Sequence, residues 1–590
     1  MTRDKKWYVY AKRADFNRLA ARFAIDPVTA RIIRNRGPVT EEEFDTYLNA
    51  GPERLHDGTL LKCAREAAEI LLDKIREGRR IRVIGDYDVD GVFSTYILLK
   101  CLTHLGAQVD HAIPHRVQDG YGLNIRLIEE AFQDGVDTIV TCDNGISAIE
   151  QIRYARSLGM SVILTDHHQP VFIEENGQRQ VQLPPADALV DPHVPGDTYP
   201  WPQICGAVVA WKVMQLLYDL AGADRAYCDA MLGMAAFATV GDVMPLTGEN
   251  RIIVKYGLKM LTHTNNIGMQ TLIDRTGLTG RDLTAYHIGF VLGPCMNAAG
   301  RLSSAEDALS LLLSEDEGEA MELASHLQEL NESRKVMTDE GTDKAVSQIA
   351  SGHMERDKVL VVYLPSCHES VVGIIAGRIR ERYDRPVFVL TDHAQAGLIK
   401  GSGRSVDAYD MYDGLVRCQD LLTRFGGHPR AAGLTLEKER LGELRRRLNE
   451  NCSLTEEELT SKLMIDVPVP VSALTMPMIE QLALLEPTGT DNEAPLFAQK
   501  DLTILSSKKI GATGTYLKLR LSDGQRTVDA LYFGDGPELV RYLQTKYSPE
   551  AYDRMCEGRN HSLKLSVAYR PEINEYNGRR SIQIRIVDYR

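Results

Sequence analysis

A unit that recurs in the first half of the chain limits its fold more than any other feature: a short β-branched run, a carboxylate at its end, then helical spacing. The first copy is "RVIGDYDVDG" (82–91), where Asp86, Asp88 and Asp90 alternate and a glycine closes the loop. An EF-hand loop opens the same way but needs a preceding helix and a bidentate glutamate at position 12. Here position 12 counted from Asp86 is Ile97, and "IRVIG" before the loop reads as a buried strand. "VFSTYILLKCLTHLG" (92–106) has apolar residues at helical spacing and ends on glycine, so the unit is strand, acidic loop, helix. In an α/β sheet such a loop lies at the carboxyl end of a strand, where ligands bind.

Three further clusters follow the same grammar. "TIVTCDNG" ends a strand candidate on Asp143, "SVILTDHH" ends one on Asp166, His167 and His168, and "FATVGDVMPL" places Asp242 in a loop after an apolar segment. If the strands are parallel neighbours, all four clusters meet at one sheet edge. Taken singly, an aspartate after a strand is more often a helix N-cap, the plain reading of Asp143 before "NGISAIE". Taken together, convergent carboxylates resist ionising unless cations sit among them. Divalent ions supply that charge, and aspartate oxygens mixed with imidazole suit Mn²⁺ somewhat better than Mg²⁺.

At 590 residues and 44% hydrophobic composition the chain has material for several cores. Residues 1–58 read as short helices. From 59 to 310, the strands "IRVIG", "AQVDHAI", "DTIVTC", "SVILT" and "DALV" alternate with helical patterns, which implies a parallel sheet with crossover helices. The charged stretch 304–350 is helical in period and suits a long connecting helix, placed at 311–350. A second α/β unit spans 351–456 and holds the glycine-dense "GSGRS" (401–405) and "FGGHPRAAG" (425–433). From 457 to 590 five short strand candidates, two pairs of them joined by turn signals, suit a small barrel such as an OB-fold.

The net charge of −14 argues against a blanket nucleic-acid coat but leaves room for local footprints: from Arg559 onward seven Lys/Arg face three Asp/Glu. Ten cysteines without a CxxC pair argue against a zinc ribbon or a disulfide framework. No apolar run reaches the ~18 residues of a membrane helix, and the first residues lack a signal-peptide core, so a cytoplasmic location is expected.

In this order and spacing, "DYDVDG", "CDNG", "TDHH" and "GDVMPL" resemble the four motifs of the DHH phosphoesterase superfamily. "LGPCMNAAGRL" (292–302), "HESVVGIIAGRI" (368–379), "GSGRS" and "FGGHPRAAGL" are similar to later motifs of the RecJ exonucleases and their DHH-associated domain, and "LEPTGTDNEAPLF" (485–497) to the segment leading into their OB domain. The resemblance implies a 5′-to-3′ exonuclease that degrades single-stranded DNA to mononucleotides in repair and recombination, with one or two Mn²⁺ or Mg²⁺ ions. It implies that Asp88, Asp90, Asp143, His167 and Asp242 ligate metal with Asp86 beside them, and that His168 touches the scissile phosphate. Arg301, Ser402, Gly403, Arg404, Gly427 and His428 match positions near substrate phosphates, and Asn297 and His368 lie in the same motifs. Arginine forks suit phosphate oxygens, and glycines let backbone amides approach them. Cys295 stands where relatives often have arginine.

Tyr516, Tyr532, Phe533 and Tyr569 are candidates for base stacking on the barrel, although aromatics at alternating strand positions are more often barrel core. A monomer acting on single-stranded DNA is expected, with a helicase and a single-strand-binding protein as candidate partners that the sequence does not name. Two rival readings are a phosphodiesterase of short oligonucleotides or cyclic dinucleotides, which the barrel from 457 onward argues against, and a scaffold that lost its chemistry, which the complete carboxylate set argues against.

Overall fold

Strands β1 (Arg80–Ile84), β2 (Gln108–Ala112), β3 (Thr138–Cys142), β4 (Ser161–Thr165) and β5 (Ala188–Val190) are the five expected from the sequence. They pair in parallel in the order β2-β1-β3-β4-β5. Beyond its exposed first residue β1 is buried, β3 is buried throughout, and both are rich in branched side chains, as parallel strands covered by helices on both faces must be. With β2 on one side of β1 and β3 on the other, the connections diverge there, and the carboxyl ends of β1 and β3 flank a topological switch point. The computed structural model that shows this describes residues 5–116, 118–175, 178–511, 514–559 and 563–590.

Helix α1 (Val89–His104) follows the first acidic loop and is buried along most of its length against α2 (Gly206–Ala221) and α3 (Leu232–Gly241). The apolar segment before Asp242 is a helix, and Asp242 follows it in a turn, as expected of a loop after an apolar segment. Its alanine-rich run "LGMAAFATVG" favours that outcome, since alanine has the highest helix propensity. Asp242 is the C-terminal cap of α3 and reaches the sheet edge from above it.

A π-helical turn (Ile288–Leu292) leads into α4 (Gly293–Leu302). The expected long helix is broken once: Ala305–Leu313 stops at Ser314, and Asp316 caps the 35-residue α5 (Glu317–Ser351), about 52 Å long at 1.5 Å per residue. The buried positions of α5 form one narrow stripe of mostly small residues, Ala320, Ala324, Leu327, Asn331, Thr338, Gly341, Ala345 and Ile349. Its first half packs on α4 and its second on α6 (Glu369–Tyr383), tying the two α/β domains of one compact unit (Arg54–Met244 and Ile252–Thr460).

The second domain is a mixed sheet of β6 (Leu360–Tyr363), β7 (Val387–Asp392), β8 (Leu398–Arg404), β9 (Leu422–His428) and β10 (Ala431–Glu437), in the order β9-β10-β8-β7-β6. "GSGR" lies within β8, flanked by β7 and β10, so its backbone amides are engaged in two ladders and are not free for an anion. What β8 presents is its side chains.

The other unit comprises Met1–Glu53, Pro245–Arg251 and Ser461–Arg590. The five expected strands, β11 (Phe497–Ile510), β12 (Tyr516–Ser522), β13 (Thr527–Tyr532), β14 (Lys564–Tyr576) and β15 (Arg579–Tyr589), close into a barrel in the order β11-β12-β13-β15-β14, the size of an OB-fold. The first helices are not a separate body: Ile32, Ile33 and Phe44 share one core with Phe497 and Tyr569. A buried, bidentate Arg36–Asp466 pair at 2.7 and 2.8 Å fixes that contact. No helix among the described residues is long and apolar enough to cross a membrane.

Candidate metal centre and phosphate cleft

Each acidic side chain at the switch point is held by its own local structure. Asp88 is the N-cap of α1 and accepts from the amides of Asp90 (3.0 Å) and Gly91 (3.2 Å). Asp90, the second residue of the helix, accepts from Gly206 (2.6 Å) and Ala207 (2.8 Å), the first amides of α2, where a helix favours negative charge. Asp86 accepts from Gly122 at 3.3 Å. Asp143 is not a cap, because the next helix begins at Ile149 after Ala148; it sits at φ +59°, a left-handed conformation that aspartate tolerates. Gly206 is needed beside it, since a Cβ there would lie 2.8 Å from the Asp143 Cβ and 3.1 Å from Asp90 Oδ2.

His167 closes the cluster. Its Nε2 lies 3.1 Å from Asp143 Oδ1, 3.4 Å from Asp90 Oδ2 and 3.7 Å from Asp242 Oδ2. Asp166 sits behind, accepting from the amides of Ile146 and His167 and contacting His168 Nδ1 at 2.7 Å. Donor atoms gather in three overlapping groups, each within 4.8 Å: Asp86, Asp88 and Asp143; Asp90, His167 and Asp242; Asp143, His167 and His168.

Burial and crowding act on the same groups. Burial, then the neighbouring aspartates, raises Asp86, Asp143 and Asp242 well above the usual carboxylate range. Burial also lowers His167 and so favours the neutral imidazole that a metal ligand must be. For His168 burial pulls downward, yet the Asp166 hydrogen bond and charge win and lift it to about 9. A pocket of carboxylates that resist ionising together, beside a neutral imidazole, fits a divalent cation taking mixed oxygen and nitrogen donors.

The other residues singled out from the sequence divide into two sets. Asn297 Oδ1 accepts from the Val89 amide (3.2 Å) and steadies the start of α1. Arg301 donates to the Ser370 carbonyl (2.9 Å), linking α4 to α6, and Arg404 donates to Ser402 Oγ at 3.0 Å. Burial lowers Arg301 to about 10, with Arg116, Arg334 and Arg404 adding to the shift, so four guanidinium groups share one region. His428 is lowered by burial, Arg404 and His168, which brings the second domain up to the metal cluster.

The second set lies elsewhere. His368 caps α6 through its own ring, with Nδ1 2.7 Å from Ser370 Oγ, and lines a different cavity beside Cys367. Gly403 packs its α-carbon toward Phe388 and Met411 beneath the sheet, and Gly427 at φ +142° backs onto Ala431 and Ala432. Cys295 is buried against α5, its sulfur 3.4 Å from Asn331 Nδ2, and Asn331 also accepts from Arg334. On the barrel, Tyr569 is fully buried and donates to the Val469 carbonyl, whereas Tyr516 and Phe533 are exposed and meet edge to face at 5.4 Å.

Sequence reasoning missed Arg116, Tyr87 and Tyr121. Arg116 follows β2 and stacks 4.6 Å over the Tyr87 ring, and the Tyr121 hydroxyl donates to the Asp143 carbonyl at 3.0 Å. Their signal was the one used for the aspartates, a loop after a strand, but it was applied only to acidic residues and histidine.

A switch-point carboxylate cluster joined by a long helix to a cationic second α/β domain defines a DHH-type phosphoesterase. Residues 80–239 match the DHH family N-terminal domain, 356–454 the DHHA1 domain and 465–588 the RecJ OB domain. The chain is 34% identical to the single-stranded-DNA-specific exonuclease RecJ of Bacillus subtilis, over 97% of this chain and 69% of that protein. It is 32% identical to that of Escherichia coli, over 96% of each. The crystal structure of RecJ from Thermus thermophilus in complex with Mn²⁺ superposes with a TM-score of 0.79 at 29% identity, covering 99% of this chain and 79% of that one. The chain belongs to the RecJ family.

Proposed function

We propose that this protein is a divalent-metal-dependent exonuclease that removes 5′-mononucleotides from the 5′ end of single-stranded DNA, in repair and recombination. The observation that carries the reading is the convergence of Asp86, Asp88, Asp90, Asp143, His167 and Asp242 at one switch point faced by the cations of a second domain.

In this reading Asp88, Asp90, Asp143, His167 and Asp242 hold one or two ions, Mn²⁺ or Mg²⁺, with Asp86 beside them. A bound divalent cation supplies Lewis acidity, polarising phosphate oxygens and lowering the pKa of a water from 15.7 toward ~7 in the most favourable sites. The chain's own residues do the rest. Arg301, Ser402, Arg404 and Arg116 grip phosphates and offset the charge that grows on the scissile group. Asp166 keeps His168 cationic near neutrality, so that it binds a phosphate oxygen. Asn297 and Tyr121 act one step back, as positioning residues for the Asp88 and Asp143 segments. Tyr516 and Phe533 on the barrel offer exposed rings on which bases stack.

A cleft between two α/β domains admits one backbone more readily than a duplex with two. Such an enzyme needs strands that something else has separated, so a helicase and a single-strand-binding protein are its expected partners, with the protein itself a cytoplasmic monomer. Digestion of 5′- and 3′-labelled single strands with Mn²⁺ tests the reading: mononucleotides released first from the 5′ label support it. Release from the 3′ end, equal rates on blunt duplex, or cutting that ignores a chelator would overturn it.

A further inference from the structure

The cavity beside the metal loop is larger and more cationic than one phosphoryl group requires. It encloses about 500 Å³, a small-molecule scale by the ~300–1,000 Å³ typical of ligand pockets. Its wall is one face of the second sheet, where strand register sets the residues in three rungs. Ser402, Gly433 and Gly426 form the second and Lys400, Thr435 and Arg424 the third, all lining the cavity, whereas the first, Arg404, Ala431 and His428, lies on the same face beyond its lining. Alternate residues share a face, so cations stand at both ends with a bare rung between them. A Cβ on Gly426 would meet nothing within 4 Å, and one on Gly433 nothing nearer than 3.8 Å.

The far rung is compensated only in part. Lys400 pairs with Glu369, but Arg424 forms no ion pair among the described residues, and neither does Arg116 across the cavity. Cations lining a concave space without carboxylate partners are arranged for an anionic ligand. Arg116, Arg301 and Arg404 already outnumber what a terminal monophosphate of about −1.5 to −2 charge asks for. Arg424 is therefore available to a further phosphate.

Resting on the exonuclease reading, we propose that this cavity is a subsite for a 5′-triphosphate, so that the protein degrades 5′-triphosphorylated single strands directly. Water adds across the first phosphodiester: its hydroxyl joins phosphorus, the P–O3′ bond breaks, and the proton goes to the leaving 3′-oxygen. The first product is a nucleoside 5′-triphosphate with a free 3′-hydroxyl, and the remaining strand carries a 5′-monophosphate.

The test is single-turnover digestion with Mn²⁺ of one DNA sequence bearing either a 5′-mono- or a 5′-triphosphate, using wild type, Arg424→Gln and Gly426→Leu. Wild type should cut both at similar rates and release a nucleoside triphosphate first. Each variant should slow the triphosphate substrate about tenfold, Arg424→Gln by losing one charge-assisted contact and Gly426→Leu by filling the bare rung, and leave the monophosphate substrate unchanged. Three results overturn the proposal: a triphosphate strand resistant to wild type while the monophosphate strand is cut, pyrophosphate as the first product, or variants that slow both substrates equally. Failure on the monophosphate strand as well would instead sink the exonuclease reading beneath it.

Discussion

Gly206→Ala adds one methyl group at the first residue of α2 and aims it at the metal centre. The new Cβ would lie 2.8 Å from the Asp143 Cβ and 3.0 Å from its Cα. Ordinary contact begins at 3.4 Å, so Asp143 or α2 must yield by about 0.6 Å (3.4 minus 2.8). Asp143 has little freedom to move: its amide donates to the Thr165 carbonyl, its backbone is left-handed, and Tyr121 holds its carbonyl. Overpacking of this kind costs ~1–3 kcal/mol of stability. A misplacement of 1 Å in a catalytic constellation costs ~10²-fold in rate, so about 0.6 Å should cost roughly tenfold. The assay is single-turnover cleavage of a 5′-phosphorylated single strand across a Mn²⁺ titration, with binding of the strand measured separately in chelator. Cleavage should fall and the Mn²⁺ requirement rise, while strand affinity holds, because Arg301 and Arg404 are untouched. A variant that cuts within twofold of wild type at the same Mn²⁺ concentration would refute the packing argument.

Removing a ligand outright should do more: Asp143→Ala or His167→Ala, checked for folding by circular dichroism, should abolish hydrolysis, and retained cutting would place the chemistry elsewhere. Asp166→Asn should let His168 fall from about 9 toward its ordinary value near 6.5. Because a raised histidine keeps its charge up to the folded-state value, the activity deficit should widen from pH 6 to pH 8; parallel pH profiles for variant and wild type would count against this role. Since Asp86, Asp143 and Asp242 are raised without a cation, Mn²⁺ binding should release protons. Calorimetry in two buffers of different ionisation enthalpy should give different apparent heats, and identical heats would contradict it. Arg251→Leu should destabilise by about 3 kcal/mol, since its guanidinium donates to the carbonyls of Tyr47, Leu484 and Leu485, and a thermal melt unchanged from wild type would argue against it.

The parallel strands, the barrel strands and most of the metal cluster were legible in the sequence because each is written locally. A β-branched run closed by "GDYDVDG" or "TDHH" needs only its own neighbours to be read as a strand end with polar side chains. Asp242 was found as a loop residue after an apolar segment, but the sequence did not say that this segment is a helix, because an apolar run by itself fits a buried helix or a buried strand. "GSGRS" suggested free amides, but the strands on either side engage them, and pairing between strands far apart in sequence is invisible to local pattern.

The order of residues was enough to say which side chains carry charge, where most strands and helices begin, and that four acidic clusters share one grammar. It took packing in three dimensions to put β1 beside β3, to have α2 supply the amides holding Asp90, and to bring Arg116 to Arg301 and Arg404. Packing also made Ile32 and Phe44 part of the barrel's core rather than one of their own. The physical reason is the same in each case: local preferences set the elements, whereas burial of apolar surface and satisfaction of buried polar groups choose their partners, and those sums run over residues hundreds of positions apart.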